Sequence, residues 1–285
     1  SLVGALIYSD PNYDFLGNAL DFSISSESND KPDKGYENSI ITGTIGTSFE
    51  QFRNVNLFLG LSGSYDDLRT ESSASNSLKK QAGSFTEFSG RYGISFDNRD
   101  RAFMPTDGSI ISFNQELPIL ADKPFISNSF SSSVYENLSE NIVGSAKFYL
   151  TTINSVNDED VRLSKRKSLS TRRLRGFEMN KVGPVDGSDH VGGNYAAAIN
   201  LDTNLPKLLP DSSNVDVGLF LDFGNVWGID YDETIDESNE IRSSTGLTAS
   251  WLSPIGPLTF VLSQNLSKAD TDKTQSFNFN LGTTF

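Results

Sequence analysis

The feature that most narrows the fold is a two-residue alternation of apolar and polar side chains. It recurs along the whole chain in stretches of about ten residues, separated by clusters of Gly, Asn, Asp, Ser and Pro. At the C-terminal end Phe277, Phe279, Leu281, Thr283 and Phe285 share one face and Ser276, Asn278, Asn280 and Gly282 the other. Val215, Val217, Leu219, Leu221 and Phe223 alternate with Asp216, Gly218, Phe220, Asp222 and Gly224. Phe88, Tyr92, Ile94 and Phe96 oppose Glu87, Ser89, Arg91, Ser95 and Asp97. The pattern predicts roughly thirteen strands, centred near residues 5, 22, 43, 60, 91, 113, 131, 147, 199, 220, 247, 262 and 280. Helical periodicity is hard to find.

The second face decides between architectures. A face carrying Glu87, Arg91, Asp97, Asn114, Glu116, Asn200, Asp202, Asp216 and Asp222 cannot be a dry core, because each unpaired charge would cost several kcal/mol. A wet-lumened transmembrane barrel resolves this: apolar residues meet lipid, polar ones line the interior, and closure satisfies backbone groups that lipid cannot. The composition agrees, with only 36% hydrophobic residues, and no run of about 18 apolar residues long enough for a spanning helix. Ser1 opens no basic-then-apolar signal segment, so a leader is expected to have been removed or never included. Tight links at 52–54, 138–140 and 253–257 take turns with long polar ones at about 27–37, 68–83, 155–190 and 228–240, the sorting expected of a barrel inserted from one side. Tyr65, Tyr149, Tyr195, Trp227 and Trp251 near strand ends fit interfacial girdles.

Signals for covalent chemistry are sparse. The absence of Cys excludes disulfides and thiolate metal sites, and a single histidine, His190, excludes a His-rich metal centre. Gly60-Leu61-Ser62-Gly63-Ser64 half-resembles a nucleophile elbow, but its alternation places it inside a strand. Asp158-Glu159-Asp160 and the run from Asp230 to Glu240 lack calcium-loop spacing and read as solvated loops. The chain carries a net charge of -14, yet residues 162–175 gather Arg162, Lys165, Arg166, Lys167, Arg172, Arg173 and Arg175. Interleaved aromatics that would stack nucleic-acid bases are missing there. Besides a solvated surface loop, the alternative is a basic loop folded back into a lumen lined by Asp202, Asp216, Asp222 and Glu116, where an Arg fork gains strength.

At Leu174-Arg175-Gly176-Phe177 the sequence resembles the BamA outer-membrane assembly factors and their two-partner secretion relatives, whose sixth extracellular loop carries Val/Leu-Arg-Gly-Phe. Further blocks agree in order: the turn from Asp97 to Pro105-Thr106-Asp107-Gly108, Val191-Gly192-Gly193-Asn194, Phe220 to Trp227, Trp251 to Leu258, and the terminal Phe285. These blocks cover most of residues 85–285; residues 1–84 match in pattern and at Asp10-Pro11-Asn12-Tyr13. A Gly-Gly pair common shortly before the motif is replaced by Lys167-Ser168-Leu169-Ser170, which alters the loop's path.

The resemblance implies an all-β, antiparallel transmembrane barrel of the sixteen-stranded type truncated to about thirteen strands, spanning residues 1–285 as a partial barrel, with a plug-like sixth loop over about 155–190 folded into the lumen. The first three strands and the periplasmic POTRA repeats are then expected upstream, since an odd strand count is unusual for a bacterial barrel. It implies that Arg175 pairs with Asp222, with Asp202 close by; the alternation independently puts both acids on inward faces. Gly176 would turn tightly against the wall and Phe177 would pack locally. The terminal strand, with Phe277, Phe279, Leu281, Gly282 and Phe285, would form one side of a lateral gate for nascent outer-membrane proteins. Expected partners are those clients, the lipid bilayer and periplasmic assembly lipoproteins; no cofactor, metal, nucleic acid or enzymatic step is implied. The expected location is the outer membrane of a Gram-negative bacterium, with the C-terminus periplasmic. The competing readings are a secretion translocator or diffusion pore plugged by residues 155–190, and a surface adhesion barrel resting on the acidic loops alone.

Overall fold

The computed structural model describes residues 2–31, 35–102, 104–157, 159–205, 208–209, 215–232, 235, 239–253 and 256–281. Its strands are β1 (Leu2–Asp10), β2 (Ala19–Lys31), β3 (Tyr36–Phe52), β4 (Val55–Thr70), β5 (Gly83–Asp97), β6 (Gly108–Ala121), β7 (Phe125–Ser139) and β8 (Ile142–Ser155). There follow a two-residue pair, β9 (Val185–Asp186) and β10 (Asp189–His190), and then β11 (Tyr195–Leu205), β12 (Val215–Trp227), β13 (Arg242–Ser253), β14 (Gly256–Ser267) and β15 (Phe277–Leu281). One helical turn, α1 (Asn76–Lys79), is capped by the Ser75 side chain. All thirteen strands read from alternation are present, joined in one antiparallel sheet in which each pairs with the next in sequence and β8 pairs with β11. Among the described residues no hydrogen-bonded pair joins the two edge strands, β1 and β15.

Burial runs opposite to that of a water-soluble protein. In register across β12, β13, β14 and β15, Leu219, Leu247, Leu262 and Phe277 form an outward row that is 50%, 46%, 55% and 55% exposed. On the other face Asp66, Glu87, Ser89, Thr151, Asn200 and Asp222 are buried. Only lipid can cover such an apolar row around a polar interior, so the alternation is that of a membrane wall. β1 is exposed on both faces for most of its length.

Strand lengths and turns depart from the sequence reading in detail. β2 and β3 run into the segment read as the 27–37 loop, ending at Lys31 and beginning at Tyr36. The long connections do share one end, but β6 and β7 are joined there by only residues 122–124, and a ten-residue turn, 98–107, stands at the opposite end. That turn is ordered by Asp100, whose carboxylate accepts from Thr106 N (2.9 Å), Thr106 Oγ1 (2.8 Å) and Asp107 N (3.2 Å). Tyr65 and Trp251 are exposed as girdle residues, and Tyr195 stacks on Trp227 at 5.7 Å. Tyr149 is a correction: it pairs in register with buried Ala198 and faces the lumen, where the Arg173 guanidinium lies 4.3 Å from its ring centre.

The lipid-facing row gives the first prediction. Leu247→Arg should lower unfolding stability in a bilayer by about 2–4 kcal/mol if the row lies near the midplane, whereas Leu247→Phe should leave it unchanged; equal urea midpoints for both would remove the assignment of the outer face.

Candidate functional site

Register brings four inward residues of β11 and β12 together: Asn200 opposite Asp222, and Asp202 opposite Phe220. Arg175 docks on this patch. Its Nε and Nη2 donate to Asp222 Oδ2 and Oδ1 at 2.7 and 2.6 Å, and its Nη1 lies 2.6 Å from Asp202 Oδ1. The Arg175 backbone N–H also donates to Asp222 (3.0 Å), Asn200 Nδ2 donates to Asp222 Oδ1 (2.7 Å), and the Phe220 ring centre is 3.9 Å from the guanidinium carbon. Asp222, with no exposed surface, therefore accepts four hydrogen bonds. Burial alone would lower the Arg175 pKa; the bonds to Asp222 and the charge of Asp202 overcome it and hold it above the ordinary arginine value.

The neighbouring residues bring the guanidinium to this depth. Gly176 has φ +89°, a region that L side chains rarely adopt, and a Cβ there would lie 3.2–3.3 Å from Asn265, Ser244 and Ser263. Phe177 is buried with Leu169, Leu174, Val182, Ala196, Ala198 and Val226 in an apolar patch inside the lumen. Small wall residues make room for it: a Cβ on Gly224 would meet Leu169 at 2.9 Å.

A second anchor holds the same loop nearer its mouth. Arg162 pairs with Glu87 of β5 and lies 3.7 Å from Asp66 of β4, while Lys165 reaches Glu87 at 3.1 Å. The Phe85 and Phe125 ring centres lie 5.2 and 5.9 Å from the Arg162 guanidinium carbon. Between the anchors Arg166 pairs with Asp230, whose pKa is pushed up by burial but pulled lower overall by that cation. Lys167 donates to Ser127 Oγ (2.8 Å); burial, with Lys165 adding to it and Glu116 opposing it, pulls its pKa down to about 8. Above these contacts Tyr36, Leu68, Ala74, Leu78, Leu163 and Val191 form an apolar cap. Acids on β4 and β5 and acids on β11 and β12 thus grip one loop, with β6, β7 and β8 between them along the wall, so the sheet wraps around residues 162–178.

The structure therefore brings Leu174, Arg175, Gly176, Phe177, Asp202 and Asp222 together. Phe277 and Phe279 sit apart from them on the outward face of β15, with Phe279 packed 5.2 Å from Phe260 across the strand pair. Leu281 pairs in register with Leu258; Gly282 and Phe285 lie outside the described residues. β15 begins at Phe277. Asp230 corrects the reading of its run as solvated, and Asp158 falls outside the described residues. Glu116 bonds the wall residues Ser89 and Arg91 rather than the loop. His190 sits in the small β9–β10 pair with Nε2 3.0 Å from Thr271 O, and burial lowers its pKa. Asp66 was not singled out from the sequence; parity places it on the inner face, but nothing periodic marks which loop residue meets it.

The chain matches the Omp85 superfamily domain over residues 2–285. It is 26% identical over 263 residues to the outer membrane protein assembly factor BamA of Neorickettsia risticii, covering 90% of this chain and 35% of that protein. It is 27% identical over 169 residues to the human sorting and assembly machinery component 50 homolog, covering 56% of this chain and 36% of that protein. The chain therefore spans about a third of the length of these relatives. In fold it resembles the crystal structure of BamA from Haemophilus ducreyi lacking POTRA domains 1–3, with a TM-score of 0.84 and 23% identity over 97% of this chain and 61% of that one.

Two predictions follow from the anchors. Arg175→Glu leaves Asp222 and Asp202 buried against a third acid and should cost on the order of 3–5 kcal/mol, read as a lower urea midpoint of heat-modifiable migration and new protease cleavage within residues 162–178; unchanged migration and protection would refute the anchor. Lys167 has a folded pKa of about 8 against an ordinary 10.5, so between those values the unfolded chain binds more protons and stability rises with pH. Lys167→Met should accordingly be more stable than wild type at neutral pH, with the gap closing from about pH 8 to 10.5; a gap constant over that window would show that Lys167 titrates normally.

Proposed function

The chain belongs to the Omp85 superfamily, and from that premise we propose that it is the barrel part of an outer-membrane protein assembly factor, whose terminal edge receives strands of nascent β-barrel proteins. The observation that carries this reading is the location of the Leu174-Arg175-Gly176-Phe177 anchor beside the last strand: Gly176 O accepts from Asn265 Nδ2 of β14 and from Gln275 N, two residues before β15. A sheet edge presents unpaired donors and acceptors to which an extended client can add. The work is binding and templating in a locally thinned bilayer, with no covalent step, cofactor or metal.

Two tight turns support an orientation. β15 runs toward the end where residues 53–54 and 140–141 make tight connections, the periplasmic end in a barrel inserted from one side. The C-terminus then lies in the periplasm, where upstream POTRA repeats and assembly lipoproteins would deliver clients. A passive pore is the weaker reading, because the loop is anchored on both β4–β5 and β11–β12 beneath an apolar cap.

The test uses the full-length protein. Because residues 1–285 contain no cysteine, Asn278→Cys paired with a cysteine on the first wall strand locks the seam specifically. Client insertion into proteoliposomes should stop when the lock is oxidised and return on reduction; insertion at the normal rate with the seam locked would sink the proposal.

A further inference from the structure

Residues 11–18 join β1 to β2 at the same end of the wall as the tight connections 53–54 and 140–141. Polar side chains fasten this turn to itself. Asp14 Oδ1 accepts from Leu16 N (3.0 Å) and Asn18 N (3.4 Å), and Asp14 Oδ2 accepts from Asn18 Nδ2. Asn12 Oδ1 accepts from Gly17 N (2.8 Å), Asp10 Oδ1 accepts from Asn12 N (3.2 Å), and Tyr13 N donates to Asn18 O (3.1 Å). The framework holds Phe15 at φ +62°, in the left-handed region that a bulky side chain rarely adopts and that persists only where the surroundings fix it.

What this rigid turn displays is apolar. Phe15 and Leu16 are 91% and 83% exposed, more than any other large apolar residue among those described. Residues of the lipid-facing rows are shielded by their strand neighbours, whereas these two stand clear of the rest of the chain. The charge around them is negative. Asp10 and Asp14 belong to the turn, and Glu50 and Arg53 lie just beyond the Ala19↔Ser48 pair at the adjoining end of β3.

An exposed Phe and Leu at this end could meet the membrane surface or a protein, and two observations favour a protein. A bilayer is fluid and holds an apolar side chain in any orientation, so a strained and tightly bonded turn adds nothing to membrane anchoring. A fitted pocket, in contrast, binds better when its ligand is already fixed in shape. Three carboxylates against one guanidinium also repel anionic headgroups, while they complement a cationic protein surface. We propose that this turn is a docking knob for a periplasmic protein domain, with Phe15 and Leu16 entering an apolar pocket whose rim carries Lys or Arg. A rigid aromatic anchor with an aliphatic neighbour is the kind of centre at which interface energy concentrates. The inference rests on the reading of this end as periplasmic and names the surface by which a delivery partner holds the barrel.

Two measurements on the full-length protein test it. In vesicles of phosphatidylethanolamine and phosphatidylglycerol, Phe15→Trp is followed by fluorescence in a background whose other tryptophans, Trp227 and Trp251 among them, are Phe. Its emission should stay solvent-like and unquenched by brominated acyl chains. In native membranes, photoreactive benzoylphenylalanine in place of Phe15 should cross-link to a protein, at a site that mapping places among apolar residues beside Lys or Arg. Leu16→Glu should cut that yield by about tenfold, the scale of losing one central interface residue, with heat-modifiable migration unchanged, and added salt should lower it further. Quenching by the brominated chains would make the turn a membrane anchor and overturn the proposal. So would the absence of a protein cross-link, a cross-link that Leu16→Glu leaves at full yield, or one that maps to a surface without cations. Labelling of Leu16→Cys by an impermeant maleimide on intact cells would place this end outside, overturning the orientation and the docking together; failure of the cross-link with Leu16→Cys protected overturns the docking alone.

Discussion

The Arg175 guanidinium, clamped between Asp222 and Asp202 over the Phe220 ring, meets a need of the wall as well as of the loop. A barrel lined with carboxylates repels itself, and two acids on neighbouring strands with no cation between them would be costly to bury. The basic run inside a chain of net charge -14 is thus the counter-charge of the lumen, supplied from a connection between β8 and β11. Because the guanidinium is planar and bidentate it fixes direction as well as position. That in turn fixes where the carbonyls of Gly176 and Phe177 point.

The same construction occurs twice. At the mouth Arg162 and Lys165 meet Glu87 beside the Phe85 and Phe125 rings; deeper in, Arg175 meets Asp222 and Asp202 over Phe220. A loop held at one point is a flap, whereas one held at two separated stretches of wall is a brace. Residues 162–175 therefore tie β4 and β5 to β11 and β12 across the lumen. Rigid packing around Leu174 and Phe177 makes that link stiff.

Much of the wall was legible because a membrane barrel writes itself in a period of two: every strand centre read from alternation falls within a strand, and parity put Asp202 and Asp222 inward. The resemblance at Leu174-Arg175-Gly176-Phe177 pointed to the cation that meets them. What alternation does not encode is which non-periodic residue approaches which wall position, so Asp66 and Gln275 went unmarked and Asp230 was read as solvated. Tyr149 was misplaced because aromatic residues near strand ends serve girdles and lumens alike, and only register tells the faces apart.

Wall and loop differ in how far apart in sequence their partners lie. Nearly every strand pairs with its successor across a turn, so the wall grows by local additions. The loop's contacts are distant: 75 residues separate Arg162 from Glu87, 47 separate Arg175 from Asp222, and 98 separate Phe177 from Gln275. Contacts of long separation form late, since chain closure has to be met before they contribute. The brace can therefore be seated only after β12 and β14 have been laid down. Biogenesis of this barrel is ordered in time by its own interior: wall first, cation last.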